Sequence, residues 1–120
     1  MNTATETQVQ DHLITISIAK DFSPFPGARY ISDGPYSGEQ FRETLLKPKF
    51  DEARQKNLEI LIDLDGAVGF PTSFLEEAFG GLTRILKDPN LILKHLRFRS
   101  YDEPGLEREI QEYIRNANKK

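Results

Sequence analysis

The chain has no cysteine among its 120 residues. Disulfides, thiolate metal ligands and cysteine nucleophiles are excluded together. Nor does it have a long apolar run. The longest, Leu58 to Leu64, is broken by Glu59 and Asp63, far short of the roughly 20 residues that a membrane-spanning helix needs. The opening Met1-Asn2-Thr3-Ala4-Thr5-Glu6 carries neither a basic nor an apolar signal-peptide region, so a cytoplasmic location is expected. His12 and His95 are the only histidines. Neither has metal-ligand spacing and no nucleophile elbow accompanies them, so no metal site, cofactor or serine triad is expected. Gly80-Gly81 lies within a helical pattern rather than at a strand-to-helix turn, so nothing reads as a phosphate loop.

What remains is an ordinary globular composition: 38% hydrophobic, 29% charged, with a formal net charge of −3. That length and composition support one domain with one core. The mild acidity argues against binding through nucleic-acid phosphates. The locally basic Lys94-His95-Leu96-Arg97-Phe98-Arg99 alternates apolar with charged residues, the pattern of a half-buried strand with one wet face.

Along the chain, residues 1–11 read as a flexible tail preceding a domain over residues 12–118. Ile14, Ile16 and Ile18 alternate with Thr15 and Ser17, predicting a strand with one face on a core. After the turn-rich Phe22-Ser23-Pro24-Phe25-Pro26-Gly27, Arg29-Tyr30-Ile31 is expected to form a short second strand. Ser37 and Gln40 have capping-box spacing, followed by an apolar stripe of Phe41, Leu45, Phe50 and Ala53, with Pro48 ending or restarting the helix. Leu58 to Leu64 predicts a central strand covered on both faces.

Phe74, Leu75, Ala78, Phe79, Leu82, Ile85 and Leu86 mark the clearest helix, with Ser73 and Glu76 as a second capping-box pair. Gly80-Gly81 inside it should cost about 2 kcal/mol relative to alanines, a cost that close approach of helix to sheet could offset. A strand is expected from Leu91 to Ser100. A last helix carries Leu106, Ile110, Tyr113, Ile114 and Ala117, with Pro104 in its first turn. The order ββαβαβα predicts an α/β fold: one small domain, a mixed and mostly parallel sheet of about four strands, packed by three main helices.

Three stretches resemble the STAS-like domains, relatives of the anti-sigma factor antagonists: Phe22 to Arg29, Ser37-Gly38-Glu39-Gln40-Phe41-Arg42, and above all Asp63 to Gly80. The resemblance runs from about Leu13 to Ile114. It implies a regulatory, protein-binding role without catalysis, with a partner of the anti-sigma kinase or ATPase type. It places Gly66 on the family's turn glycine, Leu75 on its helix leucine, Thr72 on its phosphorylated serine and Ser73 beside it. Pro71 replaces the family's aspartate and Phe74 its helix-opening glycine. The implied partner-binding loop holds Asp65, Gly66, Gly69, Phe70, Pro71 and Glu76, with Gly66 and Gly69 shaping it. A phosphate on Thr72 or Ser73 would meet free backbone N–H groups but also Asp65, Glu76 and Glu77, which would repel it. The plain alternative is that either hydroxyl is only a helix cap.

Asp63-Leu64-Asp65-Gly66 after an apolar strand also resembles the first motif of the haloacid-dehalogenase-like phosphatases, in which the two aspartates act beside magnesium. Ala67 departs from that family's pattern. The motif also comes late in the chain, and of the residues that follow, Asp102-Glu103 could pose as the second acidic pair, although Pro104-Gly105 beside them fit a plain loop and helix cap equally well. A turn is the simpler reading of Asp65-Gly66.

Overall fold

The computed structural model describes residues 9, 10 and 13–117. The strands are β1 (Val9–Gln10), β2 (Leu13–Ser17), β3 (Glu59–Asp63) and β4 (Leu96–Arg99). β2, β3 and β4 form a three-stranded parallel sheet in chain order, and β1 pairs antiparallel with the first residues of β2. Val9 and Gln10 thus belong to the sheet, while the rest of the expected tail, and His12, lie outside the described residues.

The residues expected to form the second strand do not. Arg29 and Tyr30 sit in a bend, and Ile31–Asp33 is one 3₁₀ turn. Their backbone is taken by side chains: the Tyr30 N–H donates to Asp33 Oδ2 and the Ile31 N–H to Glu39 Oε1. A backbone so engaged has no donor left for a ladder.

The residue alternation in the strands holds. Ile14, Ile16, Ile60, Ile62 and Leu96 point into the core, with Phe98 packed against it. The opposite face carries Thr15, Ser17, Leu61 and two cross-strand ion pairs, Glu59–Arg97 at 2.8 Å and Asp63–Arg99 at 3.2 Å. β3 is therefore central but not covered on both sides, as its run of apolar residues suggested. Parallel strands in chain order with right-handed crossovers put every connecting helix on one face.

Helix α1 spans residues 38–56, α2 residues 72–86, α3 Pro89–His95 and α4 Leu106–Asn116. Pro48 neither ends nor restarts α1. The preceding turn, Arg42–Leu46, widens to π geometry, which accommodates the missing N–H, and the helix continues to Lys56. α2 contains a second wide turn, Glu76–Gly80. Such a turn takes an additional residue, so the positions beyond it rotate. Thr83 is buried and Ile85 exposed, against the regular apolar pattern.

The strand expected from Leu91 begins only at Leu96. Asp88 caps a helix by accepting from the Leu91 N–H at 3.1 Å, and Pro89 fits its first turn. Pro104 falls just ahead of α4, whose N-cap is Gly105. Phe22, Phe41, Phe74 and Phe79 form one aromatic cluster between α1 and α2. No described helix is long and apolar enough to cross a membrane.

Candidate functional site

Three loops leave the carboxyl ends of the parallel strands: residues 18–37, 64–71 and 100–105. In an open α/β sheet this is the end where ligands bind. Backbone and carboxylate hydrogen bonds stitch the loops together. The Val68 N–H donates to the Pro24 carbonyl at 2.8 Å, and the Gly27 N–H to the Tyr36 carbonyl at 2.7 Å. The Gly66 N–H donates to Asp102 Oδ2 at 3.0 Å, while the Asp102 N–H donates to Asp65 Oδ1 at 2.8 Å. Gly66 has φ +93°, a left-handed value that glycine takes without a Cβ penalty. Gly69 is outside that region and a Cβ there would meet open space, so of these two the backbone requires glycine at Gly66 alone.

The resulting surface is unusually apolar. Of the seven large hydrophobic side chains exposed among the described residues, six lie on these loops: Phe25, Tyr30, Ile31, Tyr36, Val68 and Tyr101. Val68 is 77% and Tyr101 82% exposed, so neither contributes to the core. Single exposed apolar residues are commonplace, whereas these six fall together on loops joined by hydrogen bonds. Their individual exposure could not be read from the sequence. The turn composition of Phe22–Gly27 was the only signal of them. Phe70 is half-buried, 6.0 Å from the Phe74 ring, and anchors the 64–71 loop.

α2 starts beside this surface. Its N-cap is Pro71, and no side chain caps it. The expected capping box of Ser73 and Glu76 is absent: the helix begins at Thr72, which puts Ser73 inside its first turn, and two arginines hold Glu76. Thr72 is exposed, adjacent to the Tyr113 phenol, whereas Ser73 is half-buried. Burial first, and then a hydrogen bond to Glu109, push Tyr113 up to about 12.

Behind Thr72 lies a charge cluster that joins three elements. Arg29 from the first loop and Arg84 from α2 both bind Glu76, at 2.5 and 2.7 Å. Arg42 of α1, almost fully buried, donates to the Glu77 carbonyl at 2.7 Å and to Glu77 Oε2 at 2.8 Å. Desolvation would raise Glu76, but the bonds from Arg84 and Arg29 outweigh it and hold the carboxyl at about 2. Glu76 and Glu77 are therefore matched by three guanidinium groups, and the expected repulsion of a nearby phosphate by these two acids is offset.

The cluster also accounts for Gly80-Gly81. A Cβ on Gly81 would overlap the Arg42 guanidinium, and one on Gly80 would crowd Glu76. The close approach is to an arginine and a carboxylate, rather than to the sheet. Gly38 is tight in another way: a Cβ there would overlap the Phe74 carbonyl, so the start of α1 abuts the start of α2. Ser37 caps α1 as its spacing predicts, accepting from the Gln40 N–H, while Gln40 Oε1 reaches the Tyr36 N–H instead of that of Ser37.

The phosphatase-like aspartates occupy structural positions. Asp63 accepts from the Asp65 N–H and pairs with Arg99, and Asp65 holds the 100–105 loop. Among the described residues, no three His, Asp or Glu side chains cluster as a metal site. His95 fixes a strand entrance, its Nδ1 3.0 Å from the Leu58 carbonyl.

A family model described as a STAS-like domain of unknown function (DUF4325) matches residues 37–106, from the cap of α1 to the first residue of α4. No curated protein and no solved structure matches the chain. The matched span includes two of the three stretches that carry the resemblance, while Phe22 to Arg29 precedes it. On this match, which covers more than half its length, the chain belongs to the STAS-like domains of unknown function.

Proposed function

We propose that the chain is a non-catalytic regulatory module that docks a protein partner on the three loops at the carboxyl end of its sheet. The observation that carries this reading is the concentration of six of seven exposed large hydrophobic residues on those loops. Patches of this kind on stitched, preorganised loops favour association because little ordering entropy is lost on binding. A partner of the anti-sigma kinase or ATPase type is what the resemblance to the anti-sigma factor antagonists implies.

Thr72 is the better candidate for modification, since the residue is exposed and Ser73 is half-buried. A phosphate there would sit at an uncapped helix start and one helical turn from Glu76. It would compete with Glu76 for Arg29, and Arg29 belongs to the loop that presents Tyr30 and Tyr36. Modification would thereby alter the docking surface through one ion pair.

The test is association in the host cell, read with a tagged full-length chain. Tyr101→Ser combined with Val68→Ser should abolish recovery of the partner, while Ile85→Ser should leave it intact. Equal recovery with all three proteins contradicts docking at the loops. Intact-mass measurement of the chain from its host checks the switch: protein unmodified at Thr72 under all growth conditions removes it. Magnesium-dependent hydrolysis of a phosphomonoester, lost on Asp63→Asn, would overturn the non-catalytic reading.

A further inference from the structure

The loop surface has a charge character that its apolar residues alone do not reveal. Asp33, Asp102 and Glu103 are exposed on its rim, with Glu39 and Asp65 half-buried beside them. Four of these carboxylates accept from backbone N–H groups: Asp33 from Tyr30, Glu39 from Ile31, Asp65 from Asp102, and Asp102 from Gly66. Each accepts through one oxygen and retains lone pairs for another donor.

Among the described residues, none of the five has a lysine or arginine nitrogen within ion-pair distance. Apart from Glu39, the acids of α1 and α2 differ: Glu43, Asp51, Glu52, Glu76 and Glu77 are all paired. The arginines nearest the rim are engaged elsewhere. Arg29 turns inward to Glu76 and Glu77, and Arg99 is held by Asp63 on the open sheet face.

We infer that the partner presents a basic segment, with arginine or lysine side chains set among apolar ones, to this acidic and aromatic surface. The inference rests on the docking role proposed above and specifies the chemistry of what docks. Exposed Phe25, Tyr36 and Tyr101 supply rings for cation–π contact, and Val68 supplies an aliphatic anchor. The rim acids supply charge complementarity, which raises the association rate and excludes acidic competitors. A second copy of this chain would bring one acidic rim against another. Nucleic acid and anionic lipid would bring phosphates. All three are disfavoured by the same charges.

The test uses the isotope-labelled full chain and two synthetic amphipathic peptides of about twelve residues, one alternating leucine with arginine and the other leucine with glutamate. Amide shifts are followed during titration. The arginine peptide should move Phe25, Val68 and Tyr101, and its affinity should fall about fivefold between about 50 and about 200 mM salt as the charges are screened. Asp33→Lys with Glu103→Lys should weaken it to a similar degree, and the melting temperature should show that the variant folds. Equal binding of the glutamate peptide, shifts confined to other surfaces, or no binding of either peptide overturns the inference. If such a result accompanies loss of the host partner on Tyr101→Ser with Val68→Ser, docking stands and only its basic chemistry falls. Host association indifferent to those substitutions removes the docking role itself.

Discussion

Two neighbouring regions of this domain treat charge and apolar surface in opposite ways. Along the inner side of α2, Glu76 and Glu77 are enclosed by Arg29, Arg42 and Arg84, and Phe74, Leu75, Ala78 and Phe79 are fully buried. On the adjoining loops, aromatic rings stand in solvent, and Asp33, Asp65 and Asp102 have backbone partners but no cation within ion-pair distance among the described residues. The first region is satisfied within the chain. The second is satisfied in its backbone only, and its side chains are left for something outside. Stability should therefore be concentrated in the one and recognition in the other.

The contrast is broken most severely at Arg42. Arg42→Ala would take from the buried Glu77 its shortest ion pair and the donor to its carbonyl, with only the longer contacts to Arg29 and Arg84 remaining, and an unfolding cost of about 3 kcal/mol is expected from denaturant titration. Gly38→Ala comes next. Its Cβ meets the Phe74 backbone rather than a movable side chain, so about 2–3 kcal/mol should be lost, with α1 displaced from α2.

A smaller effect follows from acid. Glu76 is held at about 2, below its ordinary value, so its contribution is complete above about pH 4.5 and is lost as pH falls towards 2. Solvent screening limits this contribution to about 1–2 kcal/mol. Glu76→Gln should flatten the stability profile in that window, and thermal melts across it provide the check. The smallest effect sharpens the comparison. Tyr101→Ser and Val68→Ser should each change stability by less than about 0.5 kcal/mol, because neither side chain is packed. A loss above about 2 kcal/mol at either would mean that the loop end is structural after all.

Much of the layer architecture was legible in the sequence because period-two and helical periodicities survive in Ile14 to Ile18, Leu96 to Arg99 and Leu106 to Ala117. Local hydrogen bonding defeated the pattern elsewhere. Asp33 and Glu39 captured the backbone of Tyr30 and Ile31, and the Asp88 cap drew Leu91 to His95 into a helix. The wide turn at Glu76–Gly80 changed which residues of α2 face inward, exposing Ile85 and burying Thr83. Of the site, the stretch from Asp65 to Ser73 was legible from its motif, as was the place of Thr72 at a helix start. The arginine cluster was not, since Arg29, Arg42 and Arg84 converge only through tertiary packing. The same holds for Tyr101, brought to Gly66 by the reciprocal bonds of Asp65 and Asp102.

The most direct measurement is site-specific photo-crosslinking in the host, with a photoreactive phenylalanine analogue placed in turn at positions 68, 101 and 85. The account predicts one common partner captured from positions 68 and 101, and none from position 85, whose side chain is also exposed but lies on α2. Capture from position 85 alone, or of the same protein equally from all three, would contradict it.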